Sequence, residues 1–123
     1  MDASPIPPIP LNERRLNKPY MYKMVFQGGR ALRGVPLTLR FLPAEKDHSR
    51  IGFIIRKKVG NACMRNSIRR LLRLSFQQAL PSMGSGLWII FDVSEKAVHC
   101  RKAELRGEAN KLLEAASRLR VQA

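Results

Sequence analysis

Acidic residues are scarce in this chain. Nine Asp and Glu stand against twenty-three Lys and Arg, a formal net charge of +14 and a pI near 11.1 over 123 residues. Hard cations need clustered carboxylates, and here Asp2, Glu13, Glu45, Asp47, Asp92, Glu95, Glu104, Glu108 and Glu114 are scattered. Only Glu104 and Glu108 sit at helical spacing, so no metal site and no catalytic side chain is expected in the protein itself. Cysteine is equally sparse. Cys63 and Cys100 form no CxxC pair and have no adjacent histidines, which excludes a zinc site. They read as reduced thiols acting as small apolar groups, with a single disulfide left open. His48 and His99 fall in expected loops and read as surface residues. Long apolar runs are missing too. The longest, 51–55 and 87–91, are strand-sized, against about 20 residues for a membrane span. No Walker or Rossmann glycine spacing occurs, and Gly28-Gly29 reads as a helix stop. The N-terminus lacks the basic start and apolar core of a signal peptide, so a cytoplasmic chain is expected.

What is present is positive charge. A soluble domain of this size functions with a net charge of about 2–8; a larger excess repels itself and favours a polyanionic partner. At 45% hydrophobic residues the chain can still build one core. Pro5, Pro7, Pro8 and Pro10 mark residues 1–10 as an extended tail, leaving 11–123 as a single domain.

Periodicity predicts the elements. A short helix is expected over 18–27, capped by Asn17, with Pro19 in its first turn. Residues 35–42 and 51–55 alternate as strands, and a weaker strand lies near 31–34. From Asn61, an apolar stripe of Met64, Ile68, Leu71, Leu72, Phe76 and Ala79 marks a helix that Pro81 stops, followed by a loop over 82–86. Residues 87–93 are too uniformly apolar to be half exposed and read as a central strand. Ala103, Ala109, Leu112, Leu113, Ala116 and Leu119 suggest a closing amphipathic helix, with Gly107 as its weak point. The order is α-β-β-β-α-β-α. It implies an α+β two-layer sandwich with a small mixed sheet, helices on one face and the other face open, where single-stranded RNA could lie.

The densest signal runs from Arg56 to Arg73, with seven basic residues and no acidic one. Arg65, Arg69 and Arg73 recur every four residues and share one helix edge, with Asn66 and Arg70 beside them. Like charges so spaced weaken a helix unless a counterion bridges them. A phosphate backbone can do so, and guanidinium engages it bidentately. Lys57 and Lys58 leave the preceding strand, Gly60 permits a tight turn, and Asn61 can cap the helix beside free N–H groups suited to an anion. An ordinary turn and cap would use the same two residues.

The run Lys57-Lys58-Val59-Gly60-Asn61-Ala62, then Arg65-Asn66 and Arg69-Arg70-Leu71-Leu72-Arg73, resembles the signature of the bacterial ribonuclease P protein component. The Arg-rich opening, the aromatic helix ending in Gly and the run Arg50-Ile51-Gly52-Phe53 agree with it, over about residues 11–113. The resemblance implies a left-handed β-α-β crossover, against the general right-handed rule. It implies partnership with ribonuclease P RNA, one protein per RNA, which removes the 5′ leader of precursor tRNA with Mg²⁺ held mainly by the RNA. By the same resemblance, RNA contact falls to Arg56, Lys57, Lys58, Asn61, Arg65, Asn66, Arg69, Arg70 and Arg73. Tyr22 and Phe26 would stack the leader in a cleft floored by Thr38 and Arg40, although aromatic residues at helical spacing also suit plain core packing.

Three positions depart from that pattern. Ser67 stands where the family usually has Arg, Arg56 where a small hydroxyl residue is common, and Leu74 where a polar residue is frequent. Arg56 is expected to offset part of the charge missing at Ser67. Two rival readings share the charge: a ribosomal or other structural RNA-binding protein of similar fold, and a free-standing nuclease. A DNA-binding module is less well supported, because no helix-turn-helix pair is evident.

Overall fold

The computed structural model describes residues 14–44, 46–83 and 86–122. The expected tail at 1–10 and the domain start at Leu11 lie outside them. In chain order the elements are α1 (Pro19–Gly28), β1 (Arg30–Arg33), β2 (Leu37–Pro43), β3 (Arg50–Ile55), α2 (Ala62–Met83), β4 (Leu87–Val93) and α3 (Lys102–Gln122). Two single-turn 3₁₀ segments, Lys57–Val59 and Glu95–His99, follow β3 and β4. This is the expected α-β-β-β-α-β-α order. The sheet runs β1-β2-β4-β3, with β1-β2 and β2-β4 antiparallel and β3-β4 parallel. The parallel pair makes β3-α2-β4 a β-α-β unit.

Strand alternation sorts the side chains onto two faces. Leu37, Leu39 and Phe41 of β2, Ile51 of β3, and Leu87, Ile89, Phe91 and Val93 of β4 form one buried layer with Ile68, Leu72 and Phe76 of α2 and Leu105, Ala109 and Leu113 of α3. On the other face Trp88 and Ile90 pack with Leu16, Met21 and Val25. Strand β4 is therefore apolar throughout because it is central and covered on both sides. The sheet, α2 and α3 make the two expected layers. Layering alone leaves the other face open; α1 lies across it, in the place that the leader cleft implied by the resemblance requires. A ten-residue helix covers only part of it, so that face becomes a cleft instead of a plane.

Local expectations differ in four places. Asn17 does not cap α1; Lys18 occupies the cap position without a side-chain bond, and the fixed φ of Pro19 starts the helix. Pro81 does not stop α2, which continues to Met83. The carbonyl left without a helical donor belongs to exposed Gln77, and burial of Met83 draws the last turn inward. In α2 Met64 is 39% exposed, so the buried stripe starts at Ile68. In α3 it starts at Leu105, with Ala103 exposed, and Gly107 faces open space.

The turn between β2 and β3 is an anchor. The Asp47 carboxylate accepts bonds from the Arg50 Nε at 2.6 Å, the His48 N–H at 2.8 Å and the Trp88 indole at 3.0 Å. Ser49 is buried and its hydroxyl accepts the Leu87 N–H. Burial raises the Asp47 pKa, but bonds from Arg50, His48 and Trp88 outweigh it and hold the carboxyl below its ordinary value. A carboxylate lowered in the fold stabilises it above the unfolded pKa of about 4 and ceases to do so as pH falls through the lowered value. Asp47→Asn should cost about 1–3 kcal/mol at neutral pH. It should also flatten the acid limb of a stability-against-pH curve; thermal denaturation from pH 7 to 3 would show both.

Candidate nucleic-acid interface

The basic segment is built from its turn upward. Val59 is fully buried and pins the 3₁₀ turn, which leaves Lys57 and Lys58 exposed at the end of β3. Gly60 adopts φ +152°, a conformation that side chains rarely take, and reverses the chain. Asn61 then caps α2, its Oδ1 accepting the Met64 N–H at 2.9 Å. On the helix edge Arg65 donates to the Gly60 carbonyl at 3.0 Å, Arg69 donates to Asn66 Oδ1 at 2.8 Å, and the Arg73 guanidinium lies 5.6 Å from the Phe53 ring centroid. Asn66 and Arg70 are exposed on the outer face. Burial first, then repulsion from Arg15 and Arg69, lowers the Arg73 pKa. Among the described residues none of Lys57, Lys58, Arg65, Arg69, Arg70 and Arg73 joins an ion pair. Among the described residues these six cations thus have no carboxylate within ion-pair distance, although Glu95 lines a pocket with Lys57 and Lys58.

Arg56 is different. Its guanidinium lies 3.3 Å from Asp92 Oδ1, so it does not simply offset the charge missing at Ser67. Ser67 lies toward the other edge of α2, in a groove with Met64, Val98 and Cys100. Both cysteines are free; Cys63 is exposed instead of packed, and Cys100 is half-buried.

The cleft residues divide into two roles. Tyr22 is half-buried, and its hydroxyl accepts the Phe53 N–H at 3.3 Å, locking α1 to β3. Gly52 makes room for that lock, since a Cβ there would lie 2.5 Å from the Tyr22 oxygen. Phe26, 42% exposed, carries the Arg40 guanidinium 4.5 Å above its ring. The Arg40 Nε is buried without a hydrogen-bond partner, so stacking holds the group in place. Thr38 is half-buried and opposite Asp92 in the strand register. Composition gave no reason to single out Asp92, yet it puts a carboxylate beside the cleft floor, with Arg56 as its counter-charge. Tyr22→Phe should lower stability by about 1 kcal/mol through loss of the lock, whereas Phe26→Ala should leave the fold intact; chemical denaturation of both would separate the roles.

Among the described residues, no three His, Cys, Asp or Glu side chains stand close enough to hold a metal ion, and no helix is long and apolar enough to cross a membrane. Arg15 joins the basic surface, lining a pocket with Arg69 and Arg73. The Arg-rich opening of the chain was its only signal in the sequence.

The chain is similar to known proteins over most of its length. A family profile described as Ribonuclease P matches residues 11–117. The ribonuclease P protein component of Chloroflexus aggregans is 32% identical over 100 residues, covering 80% of this chain and 74% of that protein. That of a Synechococcus strain is 33% identical over 110 residues, covering 85% and 83%. Among solved structures, the Staphylococcus aureus RNase P protein superposes with a TM-score of 0.76 at 23% identity, over 84% of this chain and 94% of that one. The Thermotoga maritima protein gives 0.73 at 23%, over 82% and 96%. At those identities the structures speak for the fold, and the profile and relatives for the family. This chain belongs to the family of bacterial ribonuclease P protein components.

Proposed function

We propose that the chain, as the protein subunit of ribonuclease P, binds the ribonuclease P RNA through the turn and outer edge of α2 and holds the 5′ leader of precursor tRNA in the cleft between α1 and the sheet. The carrying observation is the row Arg65, Arg69, Arg73, with Arg70, Lys57 and Lys58 beside it, none ion-paired among the described residues. Such a surface costs self-repulsion unless a polyanion covers it. Phosphodiester hydrolysis is assigned to the RNA, with Mg²⁺ held mainly there; no side chain is given a metal. The stoichiometry proposed is one protein per RNA, in the cytoplasm. The reading of a ribosomal protein is not favoured, because the family match points to ribonuclease P.

Two polyanions, catalytic RNA and precursor tRNA, repel each other, and a basic protein surface between them lowers that repulsion. In the cleft, exposed Phe26 offers a base a stacking face worth about 1–3 kcal/mol, and Arg40, already seated on that ring, offers a charged edge. Arg56 balances the carboxylate of Asp92, which would otherwise oppose a phosphate. The test is reconstitution with a bacterial ribonuclease P RNA and precursor tRNA at near-physiological Mg²⁺. The protein should stimulate cleavage, should make binding of precursor tRNA tighter than binding of leaderless tRNA, and should not cleave alone. No stimulation, or cleavage by the protein alone, would refute the proposal. Ser67→Arg should tighten RNA-subunit binding several-fold by adding one phosphate contact; unchanged affinity in a filter-binding titration would show that this edge of α2 does not touch RNA.

A further inference from the structure

Beside β3 the chain builds a second basic feature. The segment at Arg15 and Leu16 runs parallel to β3, bridging Arg15 to Ile51, with the Leu16 N–H donating to the Ile51 carbonyl at 3.0 Å. Arg50 donates to the Arg15 carbonyl, also at 3.0 Å. The backbone of Arg15 is thus held while its side chain stays exposed. Across from it stand Arg69 and Arg73 of α2, and the three line a cavity of about 320 Å³ together with Asn17, Tyr22 and Phe53. Among the described residues no Asp or Glu lines it, and none of the three guanidinium groups is ion-paired. The repulsion is felt within the cluster, since Arg15 and Arg69 both help to lower Arg73. The polar lining is rich in donors: three planar forks, the Asn17 amide, and the Tyr22 hydroxyl, which accepts from Phe53 and keeps its own proton to give.

We propose that Arg15, Arg69 and Arg73 form a phosphate pocket at the outer edge of β3 that seats one phosphodiester of an RNA strand. Guanidinium forks suit tetrahedral oxyanions, and an anion bridging all three removes their mutual repulsion. The phosphate chemistry stands on the geometry; the assignment to RNA rests on the ribonuclease P reading. The pocket shares Tyr22 with α1 and Arg69 and Arg73 with α2, so it joins the cleft to the α2 surface. Its phosphate belongs either to the leader or to the catalytic RNA.

The experiment follows the arginine Nε–H signals of the isotopically labelled full chain during titration with inorganic phosphate at constant ionic strength. Saturable shifts at Arg15, Arg69 and Arg73 are expected. Arg15→Ala, which keeps the backbone bonds, should weaken phosphate binding on the order of ten-fold. Arg33→Ala, which removes the same charge from exposed β1, should leave it unchanged. Shifts that never saturate, or equal affinity in Arg15→Ala, overturn the pocket. In the reconstituted complex, Arg15→Ala should weaken either leader-bearing substrate alone, making the phosphate the leader's, or the RNA subunit, making it the catalytic RNA's. If neither changes, the assignment to RNA is overturned even where free phosphate binds. If Arg65→Glu/Arg69→Glu then still abolishes RNA binding, only the pocket has failed and the general reading stands.

Discussion

Arg65→Glu/Arg69→Glu should bind ribonuclease P RNA on the order of 10²–10⁴-fold more weakly than the parent chain. The figure follows from about 1.5–3 kcal/mol for each charge-assisted hydrogen bond lost, converted to affinity. Reversed charge adds repulsion on top of the loss. The salt dependence should change in step. Each phosphate contact removed should lower the slope of log affinity against log salt by about 0.7–0.9. The fold should survive: Arg65 gives up one bond to the Gly60 carbonyl and Arg69 one to Asn66, while an acidic group four residues from Arg73 relieves the like-charge row. Equal melting temperatures would confirm that, and RNA affinity within three-fold of the parent would remove the basis of the proposed interface.

Phe91→Ala should have the largest effect on stability. Phe91 is fully buried in β4, between β2 and β3 and beneath α2 and α3. Truncating such a side chain costs about 3–5 kcal/mol, against a total of about 5–15 kcal/mol for a domain. The melting temperature should fall on the order of 10–20 °C. Phe91 packs on the inner side of α2, so the truncation removes none of the side chains assigned to RNA, and bound RNA should restore part of the loss. A partner at a hundred times its Kd returns about 2.7 kcal/mol. Calorimetry with and without RNA would test both halves, and a variant that folds normally but cannot bind RNA would contradict the separation of core from interface.

Much of the site could be read along the chain because its parts are local. Lys57 to Arg73 spans one turn and one helix, so spacing alone places Arg65, Arg69 and Arg73 on a common edge, and Gly60 and Asn61 at a turn and a cap. The cleft was less legible. Tyr22 and Phe26 are four residues apart and spacing gives them the same face, yet one bonds β3 and the other carries Arg40. That difference depends on where β2 and β3 pass beneath α1, which spacing within α1 cannot express. Spacing shows Arg56 only as one more basic group of the run; the parallel pairing of β3 with β4 is what brings Asp92 against it.

By itself the sequence determined the charge excess, the order of elements, the centrality of β4 and the basic edge of α2, since each follows from composition or from a period of two or 3.6 residues. Only the tertiary structure decided that the Tyr22 hydroxyl locks α1 to β3, that Pro81 lies inside a helix ending at a buried methionine, and that Arg15 meets Arg69 and Arg73. Those outcomes arise from contacts between segments far apart in the chain, where burial and pairing outweigh local preference.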